Sequence, residues 1–333
     1  MGHVTRSLLR PMGLALLLFA VPAAVLAHGA TAPEPNFPSV LLAWRFEPFV
    51  LGGLLAVGAP YLWAVRRVGA RHRANPPPLW RTLAFLGGLA ALVVALVSPI
   101  EAYEGQLFSV HMVQHMLIEL VAAPLLLLGR PITLMLRVAS TSVRRVILRV
   151  LHSAPMRILA FPVVAWILFA AVNWGWHFSS LYDVALEIEW VHYLQHASFL
   201  IAALLFWWPV LDADPGPWRL IHPVRLLYLF LAMPQNSFLG VALLSAGDPL
   251  YSHYVTNVRA WGPSVLEDQQ LGGVIMWVVG DVAFLAGMAA VVVSWMRHEE
   301  RRTRRLDARL DREAELQARP RAGAERADIS PGG

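Results

Sequence analysis

Seven apolar runs recur along this chain, near residues 46–65, 80–100, 107–129, 158–177, 190–211, 224–246 and 271–296. Each approaches the ~20 residues that an α-helix needs to cross the hydrocarbon core of a bilayer. In lipid, a helix also lets one segment satisfy its own backbone hydrogen bonds. The remainder of the chain agrees, because 57% of its 333 residues are hydrophobic and 15% are charged, less charge than a soluble domain of this length carries. The expected fold is all-α: a polytopic membrane protein with a seven-transmembrane-helix bundle over residues 46–297.

The basic residues orient that bundle, and all 27 are arginine. Loop 66–81 holds Arg66, Arg67, Arg71, Arg73 and Arg81; loop 130–157 holds six more, loop 212–225 holds Arg219 and Arg225, and the tail beyond Arg297 is rich in them. The opposite loops contain Arg45 and Arg259 among acidic residues that include Glu101, Glu104, Asp183 and Asp268. The positive-inside rule then puts the N-terminus outside the plasma membrane and the C-terminus in the cytoplasm. The net charge of +5 thus reflects topology and bilayer lipid, and implies no nucleic-acid partner. Arg6 and Arg10 precede the short apolar run Met12–Leu26, which reads as a signal peptide over 1–27. Residues 28–45 form a short external segment. Residues 298–333 form a charged cytoplasmic tail, with a helix expected over Glu299–Arg319, a break at Pro320 and a disordered end.

Against this apolar background the third run, SVHMVQHMLIELVAAPLLLLG (109–129), carries His111, Gln114, His115 and Glu119. Residues four apart on a helix differ by about 40° in azimuth, so His111, His115 and Glu119 share one face. The His-x-x-Gln-His pattern returns in the fifth run as His192, Gln195 and His196, while Asn173 and His177 end the fourth. Counted from the outer ends at about 1.5 Å per residue, His111 lies roughly 6 Å deep, His115 roughly 12 Å and Glu119 near the midplane. His177, His192 and His196 fall in the same outer layer, with His253 in the loop above. Asn236 in the sixth run and Asp281 in the seventh lie deeper, where they and Glu119 could meet. Ionisable groups inside a bilayer are costly and mark functional sites, although buried polar groups also fasten helices together.

Two His-x-x-x-His pairs at one depth suit metal ligation, since imidazole binds copper, zinc and iron. Met112 and Met116 could add soft thioethers, with core packing as the alternative. The absence of cysteine excludes thiolate sites, disulfides and covalent c-type haem attachment. Copper meets the requirement for a site at the outer face. The same residues allow two other readings: a bis-His b-type haem electron carrier, and a metal-free assembly scaffold whose histidines are structural. Cleavage after Ala27 would leave His28 first, with its α-amine and imidazole able to chelate Cu(II) or simply solvated. Glu119, Asp281 and Asn236 are candidates for supporting the ligands or handling protons. No nucleotide-binding, nucleophile-elbow or zinc-protease motif is present, so no enzyme activity is expected.

Four stretches resemble one known family: FSVHMVQHMLIELVAAPLLLLGRP (108–131), WHFSSLYDVALEIEWVHYLQHASFLIAALLFWWPV (176–210), HPVRLLYLFLAMPQNSFLG (222–240) and DQQLGGVIMWVVGD (268–281). They are similar to the polytopic CtaG-type assembly factors for cytochrome c oxidase, over roughly residues 40–297. The resemblance implies a seven-helix membrane protein that helps mature a haem-copper oxidase, with the oxidase subunits as partners and copper handling as the activity. His111, His115, His177, His192, His196 and Asp281 all lie in the matching stretches. The ligand role of the histidines rests on their spacing and depth.

Overall fold

The computed structural model describes residues 34–327, apart from His72 and Val258, so the expected signal peptide and His28 lie outside the described residues. Every regular element among the described residues is helical. Among the described residues six helical stretches are long and apolar enough to cross a membrane: Pro48–Arg71, Leu79–Tyr103, Phe108–Val138, Glu189–Leu211, His222–Leu244 and Val265–Leu316. The run expected at 158–177 is shorter. Its helix, Pro162–His177, has 16 residues and so measures about 24 Å. Pro162 sets that limit by holding Phe161 in an extended conformation, which separates the helix from the short Ala154–Leu159 turn before it. By length, then, six segments of the described residues rather than seven qualify as spans.

The long elements are α1 (Pro48–Arg71), α2 (Leu79–Val97), α3 (Phe108–Met116), a π-helical turn (Leu117–Ala122), α4 (Ala123–Leu128), α5 (Pro162–His177), α6 (Glu189–Leu211), α7 (His222–Leu244) and α8 (Val265–Ala327). Pro124 explains the π turn. It has no N–H to give to the carbonyl of Leu120, and its ring crowds that carbonyl. The ladder therefore slips by one residue, and the Ala123 N–H donates to Ile118, five residues back.

The third run lies between two apolar cores. Phe108, Met112 and Met116 join Phe169, Phe206 and Leu239 in one. Ile118, Ala122 and Leu126 join Tyr61, Phe85 and Leu92 in the other. Both methionines are thus core residues. The α7–α8 crossing depends on Gly240 and Gly273: a Cβ on Gly240 would lie 2.8 Å from the Gly273 carbonyl oxygen, and one on Gly273 would lie 2.7 Å from that of Gly240. Close backbone approach of this kind is how membrane helices gain dispersion contacts.

The two ends of the bundle differ. One carries the histidines. At the other, the helix Thr141–Leu151 sets Val143, Val146, Ile147 and Val150 on one face and Arg144, Arg145 and Arg149 elsewhere. Val143, Val146 and Val150 are each more than half exposed, the pattern of a helix lying in a membrane interface. From this end α8 continues through the charged tail to Ala327, past the break expected at Pro320. One proline removes a single ladder bond, and the arginine- and alanine-rich sequence around it favours helix.

Candidate metal centre

The site begins at the first turn of α3. Its N-cap residue, Leu107, has no side-chain acceptor to offer. Asp268 of α8 supplies one from outside the helix: its carboxylate accepts the Phe108 N–H at 2.6 Å and the Ser109 hydroxyl at 2.5 Å. That fixes the helix from which His111, Gln114 and His115 project, all of them buried at 0–1% exposure. α6 adds His192, Gln195 and His196, and α5 ends at His177, all buried. The His111 and His115 rings lie 4.3 Å apart and the His192 and His196 rings 4.2 Å apart. Across the helices, His111 is 5.4 Å from His192, and His115 is 5.8 Å from His196 and 5.9 Å from His177. The five histidines expected to converge do so.

Several of the rings have one nitrogen held, which sets the tautomer and leaves the other with its lone pair. His111 Nδ1 lies 3.0 Å from the Glu104 carboxylate and 3.3 Å from the Tyr254 hydroxyl. His177 Nδ1 donates to the Asn173 carbonyl at 2.7 Å. His196 Nε2 lies 3.1 Å from Gln114 Oε1, while Gln114 Nε2 donates to the Ala95 carbonyl and the Glu101 carboxylate at 2.8 and 2.6 Å. His111 Nε2, His177 Nε2 and both nitrogens of His115 find no hydrogen-bond partner among the described residues. Leaving a buried polar atom unsatisfied costs about 1–3 kcal/mol, so four such atoms together require an explanation.

A metal ion would satisfy them. The ligand atoms of His111, His115 and His196 lie within 4.8 Å of one another, as do those of Glu104, His111 and His192. These donors, imidazoles and one carboxylate, are the set that borderline divalent cations take. Burial would raise the Glu104 carboxyl, but His192 and the His111 hydrogen bond outweigh it and hold it below the usual carboxylate range. The Glu104–Gly105 turn is clamped from above by residues 251–257. Tyr254 donates to the Glu104 carbonyl at 2.9 Å, and Asn257 to that of Gly105 at 3.0 Å. His253 lies in this clamp, its Nε2 at 3.0 Å from the Gly105 carbonyl, and outside the histidine cluster.

The deeper residues do not meet as expected. Glu119, in the π turn, accepts from the Asn173 side chain at 3.0 Å, and its own carbonyl accepts from Trp207 at 3.0 Å. Among the described residues its hydrogen-bonded link to His177 runs through Asn173. Asn236 donates to the Met276 carbonyl at 3.0 Å, and Asp281 accepts from Ser237 and Trp277 at 3.0 Å. Both join α7 to α8, and no hydrogen bond or ion pair among the described residues links either to a histidine. Sequence reasoning counted Glu101 and Glu104 as loop charges only; their position just ahead of the histidine run was the available signal. An apolar cleft of about 1070 Å³ between α1, α2 and α6, walled by Leu54, Leu92 and Ile118, extends to Glu101 and His196.

Comparison with known proteins fits this architecture. Residues 59–298 match the family described as cytochrome c oxidase caa3 assembly factor. An uncharacterized protein of Mycobacterium bovis is 34% identical over 298 residues, which cover 86% of this chain and 44% of that protein. One of Mycobacterium leprae is 30% identical over 292 residues, 85% of this chain and 44% of its own length. The chain thus spans less than half the length of these curated relatives. No solved structure matches it. With the family match running through every long helix of the bundle, the chain belongs to the cytochrome c oxidase caa3 assembly factor family.

Proposed function

We propose that this protein handles copper for the maturation of a haem-copper oxidase, holding the ion as cargo at the outer face of the plasma membrane. The observation that carries this reading is the set of four unpartnered imidazole nitrogens on His111, His115 and His177, buried beside two ligand triads. His111, His115 and His196 would form the deeper holding set, and Glu104 with His192 would receive or release the ion nearer the surface. Gln114, Asn173 and Glu101 would orient the rings. The family membership supports the oxidase as the destination. The arginine-rich loops support seven crossings with the N-terminus outside, α5 completing its crossing together with the Ala154–Leu159 turn. Five rings in a cluster whose neighbouring members lie 4–6 Å apart favour an ion over the flat plane of a haem.

The test is metal analysis of the purified protein after copper loading, paired with a visible spectrum. The reading expects copper on the wild type, its loss from the His115→Ala/His196→Ala variant, and no Soret band. Unchanged copper in the double variant refutes the ligand assignment; a Soret band with bis-His character establishes the haem reading instead. If the double variant still restores oxidase activity to cells lacking the protein, the role is that of a metal-free scaffold.

A further inference from the structure

A recess of about 910 Å³ opens at the end of the bundle opposite the histidines, where α7 and α8 meet the loop after α6. Arg130, Arg219, Arg225, Arg297 and Arg301 all line it, and they come from three separate parts of the chain. One carboxylate, Asp212, stands among them. It is already engaged, by Arg225 at 3.1 Å and Arg219 at 3.6 Å. Arg297 and Arg301 form no ion pair among the described residues, and Arg130 lies near Asp214 without pairing to it. Membrane topology explains why arginines lie at this end, but dispersal would satisfy topology equally well. Drawing five guanidinium groups around one hollow costs Coulomb repulsion that a bound anion relieves.

The walls identify the kind of anion. Leu220, Ile221 and Val293 line the same recess, and Ile221 is 68% exposed. Arg297 and Arg301, four apart and on one face of α8, begin where its apolar run ends, at the level of a lipid headgroup. The amphipathic helix Thr141–Leu151 marks the same interface. We propose that this recess binds the phosphate headgroup of an anionic membrane lipid, with its acyl chains along the apolar wall. Guanidinium forks match phosphate oxygens in pairs, and basic hollows between membrane helices are recurrent sites for such headgroups.

Native mass spectrometry of the full-length protein in detergent tests this, after delipidation and addition of phosphatidylglycerol, phosphatidylcholine or inorganic phosphate. Phosphatidylglycerol should be retained at least ten times better than phosphatidylcholine, and millimolar phosphate should not displace it. Arg297→Gln/Arg301→Gln should weaken retention roughly ten- to thirtyfold. Arg304→Gln/Arg312→Gln, with the same charge change outside the recess, should retain the lipid. Equal retention of the two lipids by the wild type overturns the proposal whether or not the variants fold. Equal losses from both variant pairs overturn it too, as does displacement by phosphate, which would make this a soluble-anion site.

Discussion

Replacing His115 by leucine should stabilise the metal-free protein and weaken its response to copper. His115 is 1% exposed, packs against Phe199 with ring centres 4.3 Å apart, and has no partner on either nitrogen. Two orphaned polar atoms at about 1–3 kcal/mol each give a gross penalty of several kcal/mol. The lost ring contacts with Phe199, His111 and His196 offset part of it, leaving a net gain of about 1–3 kcal/mol for His115→Leu. At roughly 2–4 °C per kcal/mol for a chain of this order of size, the metal-free variant should melt ~2–12 °C above wild type. Copper at a hundred times the wild-type dissociation constant should add about 2.7 kcal/mol to the wild type and less to the variant, which keeps the Glu104, His111 and His192 donors. The order of stability should therefore narrow or invert when copper is added. Thermal unfolding of both proteins in detergent, with and without copper, gives all four values. A variant less stable than wild type without copper, or an equal copper response in both, would refute the reasoning.

Glu104→Gln removes the carboxylate that fixes His111 Nδ1 and should weaken copper affinity about 10- to 100-fold in a chelator competition, with Glu104→Asp recovering part of the loss. Asp268→Asn deprives the first turn of α3 of its carboxylate acceptor and should lower stability by about 1–2 kcal/mol in chemical unfolding, leaving copper stoichiometry unchanged once folded. Gly273→Ala puts a methyl group 2.7 Å from the Gly240 carbonyl and should cost about 1–3 kcal/mol, whereas Gly105→Ala, with open space around it, should be tolerated. Pro124→Ala restores the missing N–H and should straighten the π turn, seen as stronger hydrogen-exchange protection at residues 122–124 and a weakened Glu119–Asn173 link.

The apolar runs and the paired histidines were legible because both follow directly from helix length and helix period. The five rings meet because His111/His115 and His192/His196 repeat one spacing at one depth. Other features depend on contacts between distant segments. Glu104 enters the site because Tyr254, 150 residues further along the chain, clamps the turn that carries it. Glu119 was placed by an ideal 3.6-residue period, while Pro124 sets it in a π turn whose partner is Asn173. That proline was visible in the sequence, as was Pro162, which shortens α5. Asp281 and Asn236 illustrate the converse. Their sequence positions allowed either a functional or a helix-fastening role, and their hydrogen bonds join α7 to α8.

The source of the α3 cap has a consequence for the order of synthesis. Asp268 belongs to the last helix, and the Tyr251–Asn257 segment that closes over Glu104 immediately precedes it. A chain emerging N-terminus first places its third span in the membrane well before either exists. During that interval the start of α3 has no acceptor for its first amides and the turn above it has no clamp. The histidine pocket is therefore completed last, and under the proposed copper-handling role a half-inserted chain should hold no ion.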